Sequence, residues 1–129
     1  MAAAPAPKPA PGAMRATLTG SSHVPPVDGA GAGALDAVLD PDSGQLNWRM
    51  AWLGMSGAVT AMHFHGPAMP GDNAPVAVPV GEALASPLQG SIALTPVQQA
   101  QVRAGHWYVD LHTTAHPGGE IRGQLIAAP

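Results

Sequence analysis

Cysteine is absent from the 129 residues, which excludes disulfides, thiolate catalysis and iron–sulfur clusters. Charge is scarce as well, with charged side chains at 10% and a formal net charge of −3. Such a chain has no basic patch for nucleic acid and no polybasic or amphipathic segment for a membrane surface. No apolar run approaches the ~18 residues that a membrane span requires. The sequence holds no Ser in a nucleophile elbow, no paired carboxylates at a suggestive spacing and no phosphate-binding glycine loop. Its one glycine cluster, Gly29 to Gly33, has neither a strand–loop–helix context nor a Lys-Ser/Thr ending. What the chain has in quantity is Gly (16) and Pro (15), while aromatics make up only 4%. Many short elements joined by tight turns fit that composition better than long helices do.

The length suits one domain with at most a tail. Residues 1–13 are almost entirely Ala and Pro, with one Lys. Alternating Ala-Pro prefers an extended polyproline conformation and offers nothing to bury, so this stretch reads as a stiff arm. It lacks the basic start and apolar core of a signal peptide, and the expectation is the beginning of a mature exported protein.

The domain itself is expected over residues 14–129. Met14 to Gly20 reads as a first strand, followed by irregular chain through Pro25-Pro26. Ala34 to Leu39 and Gln45 to Leu53 flank the turn signal Asp40-Pro41-Asp42-Ser43-Gly44 and form a hairpin. In the second of these, Leu46, Trp48, Met50 and Trp52 share one face. Further strands are expected at Ala58 to His65, at Val76 to Val80 (edge-like because of Pro79), at Leu88 to Leu94, at His106 to Thr113 and at Glu120 to Ile126. One helix fits, near 96–103, with Thr95 as N-cap and Pro96 in the first turn. Seven or eight short strands at this spacing predict an all-β sandwich or barrel.

The chemistry rests on histidine, of which there are six: His23, His63, His65, His106, His112 and His116. Residues i and i+2 of a strand point to the same face, so His63 and His65 project together, roughly 6–7 Å apart along the strand. Two imidazoles at that spacing can reach one metal ion, and imidazole suits copper, zinc, nickel and iron. The alternation sets Val59, Ala61 and His63 against Thr60, Met62 and Phe64. His112 ends a second alternating run and shares a face with His106, Tyr108 and Asp110. Isolated strand histidines are ordinary polar side chains as a rule; a pair plus a third strand-end histidine argues for a site. Met50 and Met62 fall on core faces, which assigns them to packing, whereas Met55 and Met69 fall in loops.

Four segments carry a resemblance: His23-Val24-Pro25-Pro26-Val27, Ala61-Met62-His63-Phe64-His65-Gly66-Pro67-Ala68, Trp107-Tyr108-Val109-Asp110-Leu111-His112-Thr113 and Gly118-Gly119-Glu120-Ile121-Arg122-Gly123-Gln124-Leu125. In order and separation they resemble the chordin-type (CHRD) domain over about residues 14–126. His23 departs from the Glu that commonly precedes Val-Pro-Pro in that family. The resemblance implies an extracellular or periplasmic protein. A more distant likeness to copper/zinc superoxide dismutase implies a Greek-key β-sandwich of seven to eight strands, an architecture it shares in outline with immunoglobulin-like domains. It also places His63, His65 and His112 on three copper-ligand positions. The bridging histidine, the zinc loop and the disulfide cysteines of that enzyme have no counterpart here. Its guiding arginine position holds Glu120, with Arg122 displaced by two.

The expectation that follows is an exported copper-binding protein, with zinc as the alternative metal, concerned with copper handling or tolerance. His63, His65 and His112 are its expected ligands, His23 and His116 candidate additions, and Asp110 a candidate to orient an imidazole. Two other readings stand beside it: a CHRD module for adhesion or self-assembly through edge strands or the N-terminal arm, without metal, and a superoxide dismutase-like copper enzyme.

Overall fold

The computed structural model describes residues 11–82 and 84–129. Most of the expected arm therefore lies outside the described residues. At its end, the Gly12 carbonyl accepts from Leu39 N–H at 2.9 Å, so the chain joins the sheet just ahead of the expected Met14.

Among the described residues there are eight strands and one helix: β1 (Ala13–Thr19), β2 (Ala32–Leu39), β3 (Gln45–Leu53), β4 (Val59–His65), β5 (Val76–Glu82), β6 (Leu88–Ala93), α1 (Pro96–Arg103), β7 (Trp107–Thr113) and β8 (Ile121–Ala127). They form one antiparallel sheet in the order β5-β4-β7-β8-β1-β2-β3-β6. The links β3 to β4, β5 to β6 and β6 to β7 cross between the halves of that order, as in a Greek-key arrangement. The sheet curls over its own apolar face. Trp48 on β3 and Phe64 on β4 sit far apart in strand order, yet their ring centroids are 5.9 Å apart. This is the all-β, sandwich-like architecture that the spacing of the strands predicts.

The alternation that forms the strands also fills the core. Leu46, Trp48 and Met50 of β3 are buried against Leu35, Ala37 and Leu39 of β2. On the other half, Met62 and Phe64 of β4 meet Trp107, Val109 and Leu111 of β7. Each fully buried side chain of this size contributes roughly 1.5–3 kcal/mol of transfer free energy. One expected face needs correction. Val59 is buried with Met62 and Phe64 rather than lying on the His63 face, because a register shift between Val59 and Ala61 inserts a bulge. The bulge lets the start of β4 cover the core and still turns His63 and His65 outward.

β5, with Pro79, occupies one edge of the sheet, as its sequence predicts, and β6 the other. The helix is closed at its start by a full capping box, with Thr95 Oγ1 accepting from Gln98 N–H and the Gln98 side chain accepting from Thr95 N–H. It carries a tether for the next strand. Trp107 Nε1 donates to Gln101 Oε1 at 2.9 Å, and His106 N–H donates to Gln101 O at 3.0 Å. Helix α1 thus fixes where β7 begins.

Candidate metal centre

β4 and β7 pair so that His63 faces Asp110 and His65 faces Tyr108. β7 and β8 continue the same rows, placing Asp110 opposite Arg122 and Tyr108 opposite Gln124. Because side chains alternate across a strand, the faces turned away from the core gather His63, His65, Tyr108, Asp110, His112 and Arg122 in one patch.

Within it, one donor atom each from His63, His65, Asp110 and His112 lies within 4.8 Å of every other. Asp110 is the centre. Its Oδ1 lies 3.1 Å from His65 Nε2 and 3.9 Å from His63 Nδ1, and its Oδ2 lies 3.1 Å from His112 Nε2. The rings of His63 and His112 approach to 4.6 Å between centroids.

The outer nitrogens are held by backbone. His65 Nδ1 lies 2.9 Å from the Ala74 carbonyl, and His112 Nδ1 lies 2.8 Å from the Pro117 carbonyl. A carbonyl only accepts, so each Nδ1 carries hydrogen and Nε2 is the nitrogen aimed at Asp110. An imidazole with acceptors at both nitrogens satisfies them in two ways: with a second N–H, or with a cation between Nε2 and the carboxylate in place of that proton. The donor set of three imidazoles and one carboxylate fits a divalent transition metal.

The electrostatics agree. Burial alone pushes the Asp110 carboxyl up, but the hydrogen bonds from His112 and His65 outweigh it and hold it down at about 2. The bond to Asp110 raises His112 above its ordinary value against the opposing effect of burial. Burial, reinforced by the nearby His112, lowers His63 in spite of Asp110, which favours the neutral ring that a metal requires.

A second layer fixes the first. His65 stacks on Tyr108, with centroids 4.6 Å apart and planes 7° from parallel. The Arg122 guanidinium lies 3.5 Å from the centroid of the same ring. The loop after β4 is strapped down over this face. Ala68 N–H donates to His106 O, Gln124 Nε2 donates to Ala68 O, Arg122 Nη1 donates to Asn73 Oδ1, and Ala74 N–H donates to the Tyr108 hydroxyl. Gly66 begins that loop where Trp107 leaves no room for a side chain, since a Cβ would overlap the indole.

Of the residues expected from the sequence, the structure brings His63, His65 and His112 together. His23 lies outside that four-residue group but lines the same cavity, of about 180 Å³, as His65, Asp110 and His112. His116 sits in the β7–β8 turn, where its backbone carbonyl accepts from Thr113 and Gly119, and its ring is not part of the group. His106 contributes backbone contacts to the strap.

Two roles were not legible beforehand. Asp110 is at the centre of the cluster, beyond the orienting role suggested by its sharing a face with His112. Arg122 lines the cavity despite its two-residue displacement in sequence, because its register against Asp110 points it there. Glu120 is instead buried, accepting from Ser56 N–H at 3.0 Å and from the Thr113 hydroxyl at 2.8 Å, where it ties the β3–β4 loop to the end of β7.

Neither curated proteins nor solved structures gave a match to this chain. The family model of the CHRD domain matches residues 14–125, which reaches from β1 into β8 and includes every residue of the cluster. The chain belongs to the CHRD domain family.

Proposed function

We propose that this protein binds copper, with His63, His65 and His112 as nitrogen donors and Asp110 as the carboxylate donor, and that it serves copper handling or tolerance outside the cytoplasm. One observation carries the reading: three imidazoles and a carboxylate converge within 4.8 Å on the outer face of β4 and β7. The outer ring nitrogens of His65 and His112 are already held by backbone carbonyls and His65 is stacked on Tyr108, and such bracing preserves metal affinity. Among divalent first-row ions copper has the highest affinity for nitrogen-rich sites, with zinc next in relevance. A bound cupric ion supplies Lewis acidity and one-electron chemistry; the chain supplies the donors, their orientation and a shielded cavity. The exported location is supported by the family, whose resemblance implies extracellular or periplasmic proteins.

Cupric titration of the metal-free protein, followed by EPR, tests this. The expected result is one copper per chain with a nitrogen-rich signal, weakened at least tenfold in His63→Ala and in His112→Ala. Parent-like binding by both variants sinks the assignment.

Two other readings each have one observation in their favour. Among the described residues β5 and β6 each leave one edge without a partner strand, which favours a module that assembles by strand addition; a parent chain that takes up no copper yet elutes as an oligomer supports it. Arg122 beside the cluster favours a superoxide dismutase-like enzyme, since a cation at the cavity would draw in an anion.

A further inference from the structure

The three imidazoles of the cluster are not held alike. His65 and His112 each have Nδ1 on a backbone carbonyl and Nε2 on Asp110, and His65 is also stacked on Tyr108. His63 has none of these ties. Its Nδ1 comes only to 3.9 Å from Asp110 Oδ1, outside hydrogen-bond distance. Among the described residues, no hydrogen bond engages either nitrogen of its ring. Its side chain is the most exposed of the three, at 25% against 11% for His65 and 14% for His112.

The strand around His63 is loosely tied in the same way. His63 pairs with Pro79 of the edge strand β5, a partner with no N–H to give to the ladder. The β4–β5 register shifts on both sides of it, between Ala61 and Met62 and between Phe64 and His65. His65, Asp110 and His112 line the cavity of about 180 Å³, whereas His63 is not part of its lining. Three donors are thus fixed against one another, and the fourth and most exposed meets them with its ring untethered.

We propose that His63 holds the exchangeable position of the metal site, where an external imidazole takes its place: the side chain of a histidine on a protein that delivers or accepts copper. This rests on the proposed metal site. To leave, His65 or His112 must give up a carbonyl bond as well as its coordination, and Asp110 between them is only 4% exposed. His63 gives up its coordination alone, so ligand substitution begins there. An incoming imidazole binds as His63 yields, which keeps the number of donors constant and avoids a vacant position. Imidazole is the class that fits, because it replaces like with like and leaves the charge of the site unchanged.

The test is pulsed EPR of the copper-loaded parent, His63→Ala and His112→Ala with free imidazole carrying a heavy-nitrogen label, together with the rate of copper removal by EDTA. A labelled ring is expected to enter the copper shell of His63→Ala and restore the parent spectrum, whereas in His112→Ala it restores nothing. Without imidazole, His63→Ala is expected to release copper to EDTA at least tenfold faster than the parent, in line with its weaker binding. Free imidazole should move the parent toward that faster rate. No labelled nitrogen at the copper of His63→Ala overturns the proposal, and so does equal uptake by His112→Ala, which would make every vacated position alike. The parent measurement does not depend on how either variant folds: a removal rate indifferent to imidazole also overturns the proposal. A parent chain that binds no copper overturns this proposal and the preceding reading together; parent binding with a rate indifferent to imidazole overturns this one alone.

Discussion

Asp110 is the residue on which the cluster turns, and it is also where pH acts. Its folded-state pKa of about 2 lies below the ordinary 3.8. A depressed carboxyl contributes stability that is complete above its unfolded value and is lost as pH falls through the folded one. The size is roughly 2 kcal/mol between pH 5 and pH 2, given the depth of burial and about 1.4 kcal/mol per pKa unit. Urea unfolding of the metal-free parent and of Asp110→Asn should therefore show the parent more stable at pH 5, with the gap narrowing by about that amount at pH 2. A gap independent of pH would show that the carboxylate is not held by the imidazoles. The same substitution should weaken copper binding by 10- to 100-fold, because it removes a donor charge at the centre of the site. The residue type was legible from the start; its centrality was not, because it depends on His63 lying directly opposite across the β4–β7 ladder.

At the scale of the element, the local signals are strong and agree with the structure. The helix lies at Pro96–Arg103, where Thr95 and Pro96 predict it, and β3 has its expected ends. Such boundaries are set by residues next to one another in the chain: a side chain that caps, a ring that fixes φ, an alternation that only a strand can bury on one face. The bulge in β4 is the exception. Nothing in Val59-Thr60-Ala61 marks it, since it arises from the pairing with β7. Thr95→Ala removes one half of the capping box and should cost about 1 kcal/mol in chemical denaturation. Copper affinity should stay within twofold, because the helix positions β7 through Gln101 and Trp107 and touches no donor. A large loss of affinity in that variant would mean the strand start is held by the cap and not by packing.

At the scale of the whole molecule, binding and folding are linked. The donors come from two strands that are 45 residues apart in the His65–Asp110 pair, so the unfolded chain presents no comparable site. An ion that binds only the folded chain stabilises it by about 2.7 kcal/mol when free metal is 100 times the dissociation constant. Thermal melting with Cu²⁺ should accordingly raise the midpoint by on the order of 10 °C for a domain of this size. His63→Ala and His112→Ala should lose most of that rise. An equal rise in all three proteins would place the binding elsewhere on the surface.

The sequence by itself determined the strands, the helix and the outward projection of His63 with His65, since each follows from contacts within a few residues. It also carried the family, through segments whose order and spacing resemble the CHRD domain. Tertiary structure alone decided that β4, β7 and β8 lie side by side in a register that sets Asp110 among three imidazoles and turns Arg122 into the same cavity. It alone supplied the Ala74 and Pro117 carbonyls that fix the rings. The physical reason is the two-residue period of the strand. A shift of one residue in either ladder would send these side chains to the opposite face, and that register is chosen by burial of the apolar face across the whole sheet.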